Sequence, residues 1–393
     1  MQNNTSVSPK IKILFRHRSM EMGGVEKVML SLLNNLNPEK FEMTVLLNLN
    51  QGELRNEFPP HVKKFFLAKG KEDFSSNTFL QKVQLLQRKF KLRKFSKHPE
   101  IIDREILKDE FDVEIAMTYN DFPSVLNSSN KKSKKIGWFH SEINAPGFEP
   151  LVPDILKNFP QFDQIVYCSE TIKILMHEHH PNLNYPAEKV ITNAIDIEKI
   201  KNKAGESLVN IPKHPVFISI GRLHFRKGYE NLVEAHAKLI SEGFDHSVII
   251  IGEGEQRKTL EQLIRKKKIE KTFLLLGNRM NPYPYIKNAD YFVLPSSSEA
   301  WPLVIAEALI LKKPIIATKT GDIPFMIQHG KTGILINYDA DELYVAMKSF
   351  LTDQKLTDHL KNKLTDIEAM FNNEKIYREV EDVLLNLVKT SAQ

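Results

Sequence analysis

Short apolar runs alternating with amphipathic helical patterns, twice over, constrain this chain more than any other feature. Ile11–Phe15 (IKILF) reads as a strand, and a loop holding Gly23 and Gly24 follows. Val25, Val28, Met29, Leu32, Leu33 and Leu36 then fall on one face of a helix. Phe41–Leu49, Val113–Thr118, Ile136–Phe139 and Ile165–Cys168 read as further strands. The stretch Ile197–Pro215, rich in Lys and carrying two prolines, breaks this rhythm and reads as a linker. The rhythm restarts with strands at Val216–Ile220, Val248–Ile251, Phe273–Leu276, Tyr291–Leu294 and Ile315–Ala317, and with helices at Tyr229–Ile240 and Gln256–Lys267. From about Asp341 the tail is helical. Strand–helix–strand repetition predicts parallel sheets with right-handed crossovers. The expected fold class is therefore α/β, with two Rossmann-like, doubly wound domains facing a central cleft. The expected boundaries are an N-terminal domain over 1–197, a linker over 198–215, a C-terminal domain over 216–370, and a C-terminal helix over 371–393 that packs back toward the N-terminal domain.

Composition narrows the functional classes. The 393 residues suffice for two domains that each bury a core. No apolar run reaches the ~18–20 residues of a membrane span, and the polar start MQNNTSVSPK has no signal-peptide apolar region. A cytoplasmic setting is expected. Cys168 is the only cysteine, so an intrachain disulfide is impossible and a cysteine-built metal site is disfavoured. Lys and Arg number 55 against 49 Asp and Glu, a net charge of +6. That mild excess fits an anionic partner (nucleic acid, anionic lipid or a phosphorylated ligand), or simply surface lysines that aid solubility.

In doubly wound sheets, ligands bind beyond the carboxyl ends of strands, near helix N-termini. The loops in those places carry the candidate chemistry. Gly221-Arg222-Leu-His-Phe-Arg-Lys227-Gly228 follows the strand Val216–Ile220. An Arg fork plus a Lys point charge suits a diphosphate; the plainer reading is an exposed basic loop. Glu299-Ala-Trp-Pro-Leu-Val-Ile-Ala-Glu307 follows the strand Tyr291–Leu294. Pro302 suits the first position of a helix, which leaves the amides of Leu303 and Val304 pointing outward as an anion site needs. A carboxylate at Glu307 can accept two ribose hydroxyls, while ordinary capping and solvation also explain a Glu pair eight apart. Gly23-Gly24 precedes a helix, as an anion-binding turn or a simple one. His140 closes the strand Ile136–Phe139 and is either a cleft residue or a structural one. Gly252-Glu253-Gly254 is a tight turn after another strand. Asp339-Ala-Asp341 reads as a helix cap, not a metal site.

In order along nearly the whole chain, MGGVEK (22–27), the His140 strand end, NAID (193–196), GRLHFRKG (221–228), GEG (252–254), ADYFVLPS (289–296) and EAWPLVIAEAL (299–309) resemble glycosyltransferase family 4. These are retaining, nucleotide-sugar-dependent enzymes of the GT-B fold. The resemblance implies that Arg222 and Lys227 clamp the donor diphosphate, with the amides of Leu303 and Val304. It implies that Glu307 binds the ribose and that Asn278 and Arg279 meet the base. Glu299 and His140 would carry catalysis, Glu299 by holding the donor sugar's hydroxyls and His140 by lying near the anomeric centre. Gly23 and Gly24 would border the phosphate and the acceptor. Ala194 stands where the family often has Gly, a position of backbone geometry. The implied reaction moves a hexose or N-acetylhexosamine from a nucleotide-sugar, UDP-sugar first and GDP-mannose second. The acceptor would be a glycan or polyprenyl-diphosphate-linked glycan in surface polysaccharide synthesis, and no metal cofactor is expected. Attack from the face of the leaving group, with the departing phosphate taking the acceptor's proton, would retain configuration.

Residues 74–99 contain no acid and interleave Lys82, Arg88, Lys89, Lys91, Arg93, Lys94 and Lys97 with Phe79, Leu80, Val83, Leu85, Leu86, Phe90, Leu92 and Phe95. This basic amphipathic segment, 79–97, suits an anionic membrane surface on the inner face; a core-facing helix with a solvated basic side is the alternative. Lys131, Lys132, Lys134 and Lys135 extend the same charge. Competing functions are a nucleotide-sugar epimerase on the same fold, a basic nucleic-acid-binding protein, and a catalytically inactive scaffold. No recognition motif supports nucleic acid.

Overall fold

A computed structural model of the chain describes residues 9–145, 147–206, 209–212 and 215–389. Two compact units emerge. The first runs through Ala194 and takes the chain back from Glu374; the second is Ile195–Asn373.

The first unit is built on seven strands: β1 (Ile11–His17), β2 (Phe41–Asn50), β3 (Lys63–Lys69), β4 (Val113–Ala116), β5 (Lys134–Phe139), β6 (Gln164–Tyr167) and β7 (Ala187–Val190). Their order is β3-β2-β1-β4-β5-β6-β7, and every pairing is parallel. The second unit has β8 (Val216–Ile220), β9 (Ser247–Ile251), β10 (Phe273–Gly277), β11 (Tyr291–Leu294), β12 (Ile315–Thr318) and β13 (Gly333–Ile336). Their order is β10-β9-β8-β11-β12-β13, again all parallel. Both are doubly wound sheets, and the connections reverse direction between β1 and β4 and between β8 and β11. Central strands such as β9 (SVIII) are buried along their whole length, as expected where helices cover both faces. The helix Tyr229–Ser241 buries Leu232, Val233, Ala235 and Leu239 against this sheet, in one core with Phe217, Val248, Ile250, Val293 and Phe350. LVIAEALI (Leu303–Ile310) is apolar nearly all round and is accordingly buried on nearly all sides.

Three sequence expectations change. Within the stretch 198–215, of which 207–208 and 213–214 lie outside the described residues, the chain forms a helix at Ile197–Gly205 capped by the Asp196 carboxylate. Ile200 and Ala204, one turn apart, are its buried stripe, and it packs on the helices Tyr283–Asn288 and Leu303–Ile310. The second unit therefore starts at Ile195, well before Val216. Pro302 is the N-cap of the helix Leu303–Ile310, not its first residue. Lys134 and Lys135 are not part of a free basic patch: Lys134 pairs with Asp163 at 3.0 Å, and Lys135 is buried beside Glu114 at 2.7 Å.

The final helix, Asn373–Lys389, buries Val380 and Leu384. Tyr377 meets Ser31 at 2.8 Å, and Glu381 accepts from the Asn37 amide and from Lys40 at 3.0 and 2.7 Å. Of the stretch 371–393, residues 390–393 lie outside the described residues. Among the described residues, no helix is long and apolar enough to cross a membrane.

Candidate active site

In each unit most of the candidate residues lie in loops beside the point where the sheet reverses direction, whereas Asn278 and Arg279 follow the edge strand β10. In the second unit, the loops after β8 and β11 meet. The Arg226 carbonyl accepts from the Ser297 amide at 2.8 Å. Gly228 adopts φ 65°, and a Cβ there would lie 2.0 Å from the Pro295 carbonyl oxygen, so only glycine lets the two loops touch. Lys227, placed by that contact, donates to Glu299 Oε1 at 2.6 Å, and the same oxygen accepts from Ser296 Oγ at 2.7 Å. The loop after β12 braces the other side, with the Asp322 amide donating to the Ala300 carbonyl at 2.8 Å.

Arg222 takes a different course. It is largely exposed and lies 3.5 Å from Glu255. Lys227 thus pairs with Glu299 while Arg222 extends toward Glu255, so this structure does not bring the two cations onto one point. The Gly252-Glu253-Gly254 turn supports the Arg222 loop: the Leu223 amide donates to the Glu253 carbonyl at 2.9 Å. A Cβ on Gly252 (φ 148°) would fall 2.0 Å from the Gly221 carbonyl oxygen.

Glu307 is buried inside its helix, and Tyr283 donates its hydroxyl to Oε1 at 3.1 Å. Burial, then the Glu307 charge, pushes the Tyr283 hydroxyl pKa well above its ordinary value, so it stays a neutral donor. Leu303 and Val304 are the first two residues of this helix, the zone where amides lack intrahelical acceptors. Asn278 and Arg279 follow β10; Arg279 reaches the Tyr285 hydroxyl at 3.3 Å and the Asn278 carbonyl at 3.1 Å. Asp339 caps the helix Ala340–Thr352, accepting from the amides of Asp341 and Glu342.

In the first unit, Gly23 is the N-cap and Gly24 the first residue of the helix Gly24–Asn35. His140 follows β5 and lies parallel to the Trp138 indole, centroids 6.0 Å apart. Burial, then the charge of His17, lowers its pKa to about 3. His17 ends β1 and is buried. Its Nδ1 lies 2.9 Å from Asp121 Oδ2 and its Nε2 3.2 Å from Glu26 Oε1. Burial alone would lower its pKa, but the two carboxylates outweigh burial and push it up to about 10. His17 therefore stabilises the fold fully below its unfolded pKa of about 6.5, an effect that fades as pH rises toward 10. His17, Asp121 and Glu26 were not singled out from sequence, although His17 ends an apolar run just as His140 does. Tyr283, in NPYPY, gave no local signal.

Residues 201–365 match the model of the family described as Glycosyl transferases group 1. Among relatives, the N-acetylgalactosamine-N,N'-diacetylbacillosaminyl-diphospho-undecaprenol 4-alpha-N-acetylgalactosaminyltransferase of Campylobacter jejuni is 31% identical over 200 residues, covering 50% of this chain and 53% of that protein. The match thus spans about half of that relative's length. The UDP-Gal:alpha-D-GlcNAc-diphosphoundecaprenol alpha-1,3-galactosyltransferase of Escherichia coli is 25% identical over 402 residues, covering 98% of this chain and 99% of that protein. Among solved structures, Anabaena HepE in complex with UDP-glucose superposes with a TM-score of 0.71 at 19% identity, covering 96% of this chain and 100% of that one. The two-sheet architecture is the GT-B fold shared with that structure, and the second unit holds the segment that matches the Glycosyl transferases group 1 model.

Proposed function

We propose that the chain is a retaining glycosyltransferase of family 4 that uses a UDP-sugar and acts on a polyprenyl-diphosphate-linked glycan. The observation that carries the reading is the Lys227–Glu299 pair, 2.6 Å apart at the β8/β11 reversal, in the same unit as the buried Glu307. Breaking the anomeric C–O bond leaves negative charge on the departing diphosphate. Lys227 and Arg222, with the amides of Leu303 and Val304, answer that charge electrostatically and need transfer no proton. Glu299, held by Lys227 and Ser296, is the acceptor for donor-sugar hydroxyls. Glu307 is the acceptor for ribose hydroxyls. Asn278 and Arg279, in the loop after β10, meet the base. In the first unit, neutral His140 offers one N–H to the sugar beside the Gly23-Gly24 turn. The leaving phosphate takes the acceptor's proton. The two undecaprenol-linked relatives support the acceptor class, and the UDP-glucose complex of the structural neighbour supports UDP over GDP-mannose.

A thermal-shift panel of UDP, GDP and ADP tests the reading. A ligand at ~100 times its Kd adds about 2.7 kcal/mol, so UDP is expected to raise Tm by several degrees. A shift with GDP alone replaces the donor, and none with any nucleotide removes the reading. Glu307→Ala is expected to weaken UDP binding about 10–100-fold, the worth of charge-assisted hydrogen bonds to the ribose. Calorimetry giving an unchanged Kd would remove the ribose role.

The same reading places the enzyme at an anionic membrane. The helix Thr78–Lys97 has two apolar sides. Leu92 and Phe95 join the core cluster of Leu14, Leu46, Leu67 and Phe111. Phe79, Leu80, Val83, Leu86 and Phe90 are exposed, Phe79 at 72% and Phe90 at 62%. Phe79, Val83, Leu86 and Phe90 follow helical spacing and form one outward stripe, with Lys82, Lys89, Arg93, Lys94 and Lys97 along it and no acid from 74 to 99. Apolar side chains edged by cations suit a bilayer of anionic headgroups, each Lys or Arg near the surface adding about 1 kcal/mol. Lys82→Glu/Lys89→Glu/Lys94→Glu is expected to lower co-sedimentation with phosphatidylglycerol vesicles at least tenfold. Equal partitioning of wild type and variant would rule the surface out.

A further inference from the structure

His17 is tied at both ring nitrogens to carboxylates that arrive from different elements. Asp121 comes from the loop after β4, and Glu26 from the first turn of the helix Gly24–Asn35. An ionised carboxylate only accepts hydrogen bonds, so both nitrogens of His17 must carry protons and the ring must be an imidazolium. The cluster spans the β1/β4 reversal of the first sheet, the topological counterpart of the Lys227–Glu299 pair in the second. Thr118 Oγ1 adds a hydrogen bond to Asp121 Oδ2 at 2.8 Å.

Glu26 also occupies the start of its helix. A Cβ on Gly23 would lie within 2.3 Å of Glu26 Oε2, so the carboxylate folds back over the N-cap. The amino end of this helix, which sequence alone offers to a ligand's negative charge, already holds a carboxylate of its own. That carboxylate meets His17 Nε2 at 3.2 Å, directly beside the Gly23-Gly24 turn.

We propose that His17 is a positioning residue for glycosyl transfer: a permanent imidazolium that locks Glu26 and Asp121 in place around the Gly23-Gly24 turn. This inference rests on the reading that the chain transfers glycosyl groups. The groups bearing on His17 are Asp121, Glu26 and, after β5, His140; its charge opposes protonation of His140. A neutral His140 keeps one N–H donor and one acceptor nitrogen for a sugar hydroxyl, whereas an imidazolium would lose the acceptor. His17 neither gives nor takes a proton during turnover; its part is electrostatic and geometric.

Nitrogen-15 NMR of the histidines in the full chain provides the test, together with kinetics on two variants. In wild type at pH 8, His17 is expected to be protonated at both nitrogens and His140 at one. A neutral His17 at pH 8 would overturn the inference while leaving UDP binding as measured. Glu26→Gln removes one partner and lowers the His17 pKa. Its kcat should therefore gain a pH dependence absent from wild type, falling at least fivefold between pH 6.5 and 9 as His17 loses its proton. A flat profile equal to wild type overturns the proposal. His17→Gln is expected to lower kcat tenfold or more with the UDP-sugar KM within about twofold. Unchanged kcat, or an equal change in both constants with normal Tm, also counts against it. Absence of UDP-sugar binding by wild type would instead remove the glycosyltransferase reading, with the charge state of His17 still measured.

Discussion

Lys227→Ala is expected to lower kcat with the UDP-sugar by about 10²–10³-fold, the usual cost of deleting one preorganised group that meets developing negative charge. The structure sharpens that expectation. Lys227 is only 21% exposed at its side chain and sits 2.6 Å from Glu299, itself 12% exposed. On the proposed function, removing the ammonium deletes the charge that meets the leaving group; it also frees Glu299 from one of its two hydrogen-bond partners, leaving Ser296. Arg222, at 74% exposure and beside Glu255, is more weakly held. Arg222→Ala should therefore cost less, about tenfold, and mainly in kcat. Steady-state kinetics with matched circular dichroism spectra separate chemistry from unfolding. If Lys227→Ala turns over at the wild-type rate, the charge-stabilisation mechanism is wrong.

The second large effect is on stability. Gly228→Val should destabilise the second unit by on the order of 3–5 kcal/mol. A β-branched residue at φ 65° is strained by roughly 1–3 kcal/mol. Its Cβ would also fall 2.0 Å from the Pro295 carbonyl oxygen, so the loops after β8 and β11 must part. At about 2–4 °C per kcal/mol for a unit of this size, Tm should drop by roughly 6–20 °C. Differential scanning calorimetry reads this directly, and a drop below about 2 °C would show that the loops are not in obligatory contact. The same separation carries Lys227 away from Glu299, so the protein that remains folded at low temperature should bind UDP poorly.

Much of this architecture was legible in the sequence, and the misses share physical causes. The interior strands announce themselves because burial on both faces leaves little room for polar residues: IKILF, VFISI, YFVL and IIA were all read as strands. The strands that escaped notice were β3 (KKFFLAK), β7 (AEKV) and β13 (GILI), three of the four sheet edges. Edge strands tolerate charges and are kept short, which protects against edge-to-edge pairing and erases the apolar signal. The helix Ile197–Gly205 escaped for a related reason. Its buried stripe is two residues, and four lysines and glutamates in IEKIKNKAG surround it.

The candidate site divides in the same way. Lys227, Glu299 and Glu307 stand in contiguous motifs that sequence displays. The partners that fix them do not: Tyr283 reaches Glu307 across 24 residues, and Asp121 reaches His17 across 104. Spacing along the chain carries no trace of such pairs, because the sheet and not the local backbone brings them together. Arg222 marks the opposite limit. Its place in the loop was evident, but not its turn toward Glu255, which depends on how the Gly252-Glu253-Gly254 turn seats that loop.

The return of the last helix to the first unit has a consequence for biosynthesis. Residues 374–389 leave the ribosome only after the entire second unit, yet they supply Tyr377 to Ser31 and Glu381 to Lys40. The half of the protein that is translated first is thus the half completed last. Until that helix docks, a nascent chain leaves the surface around Ser31, Asn37 and Lys40 uncovered, so the first unit's fold is finished only once the second has been made.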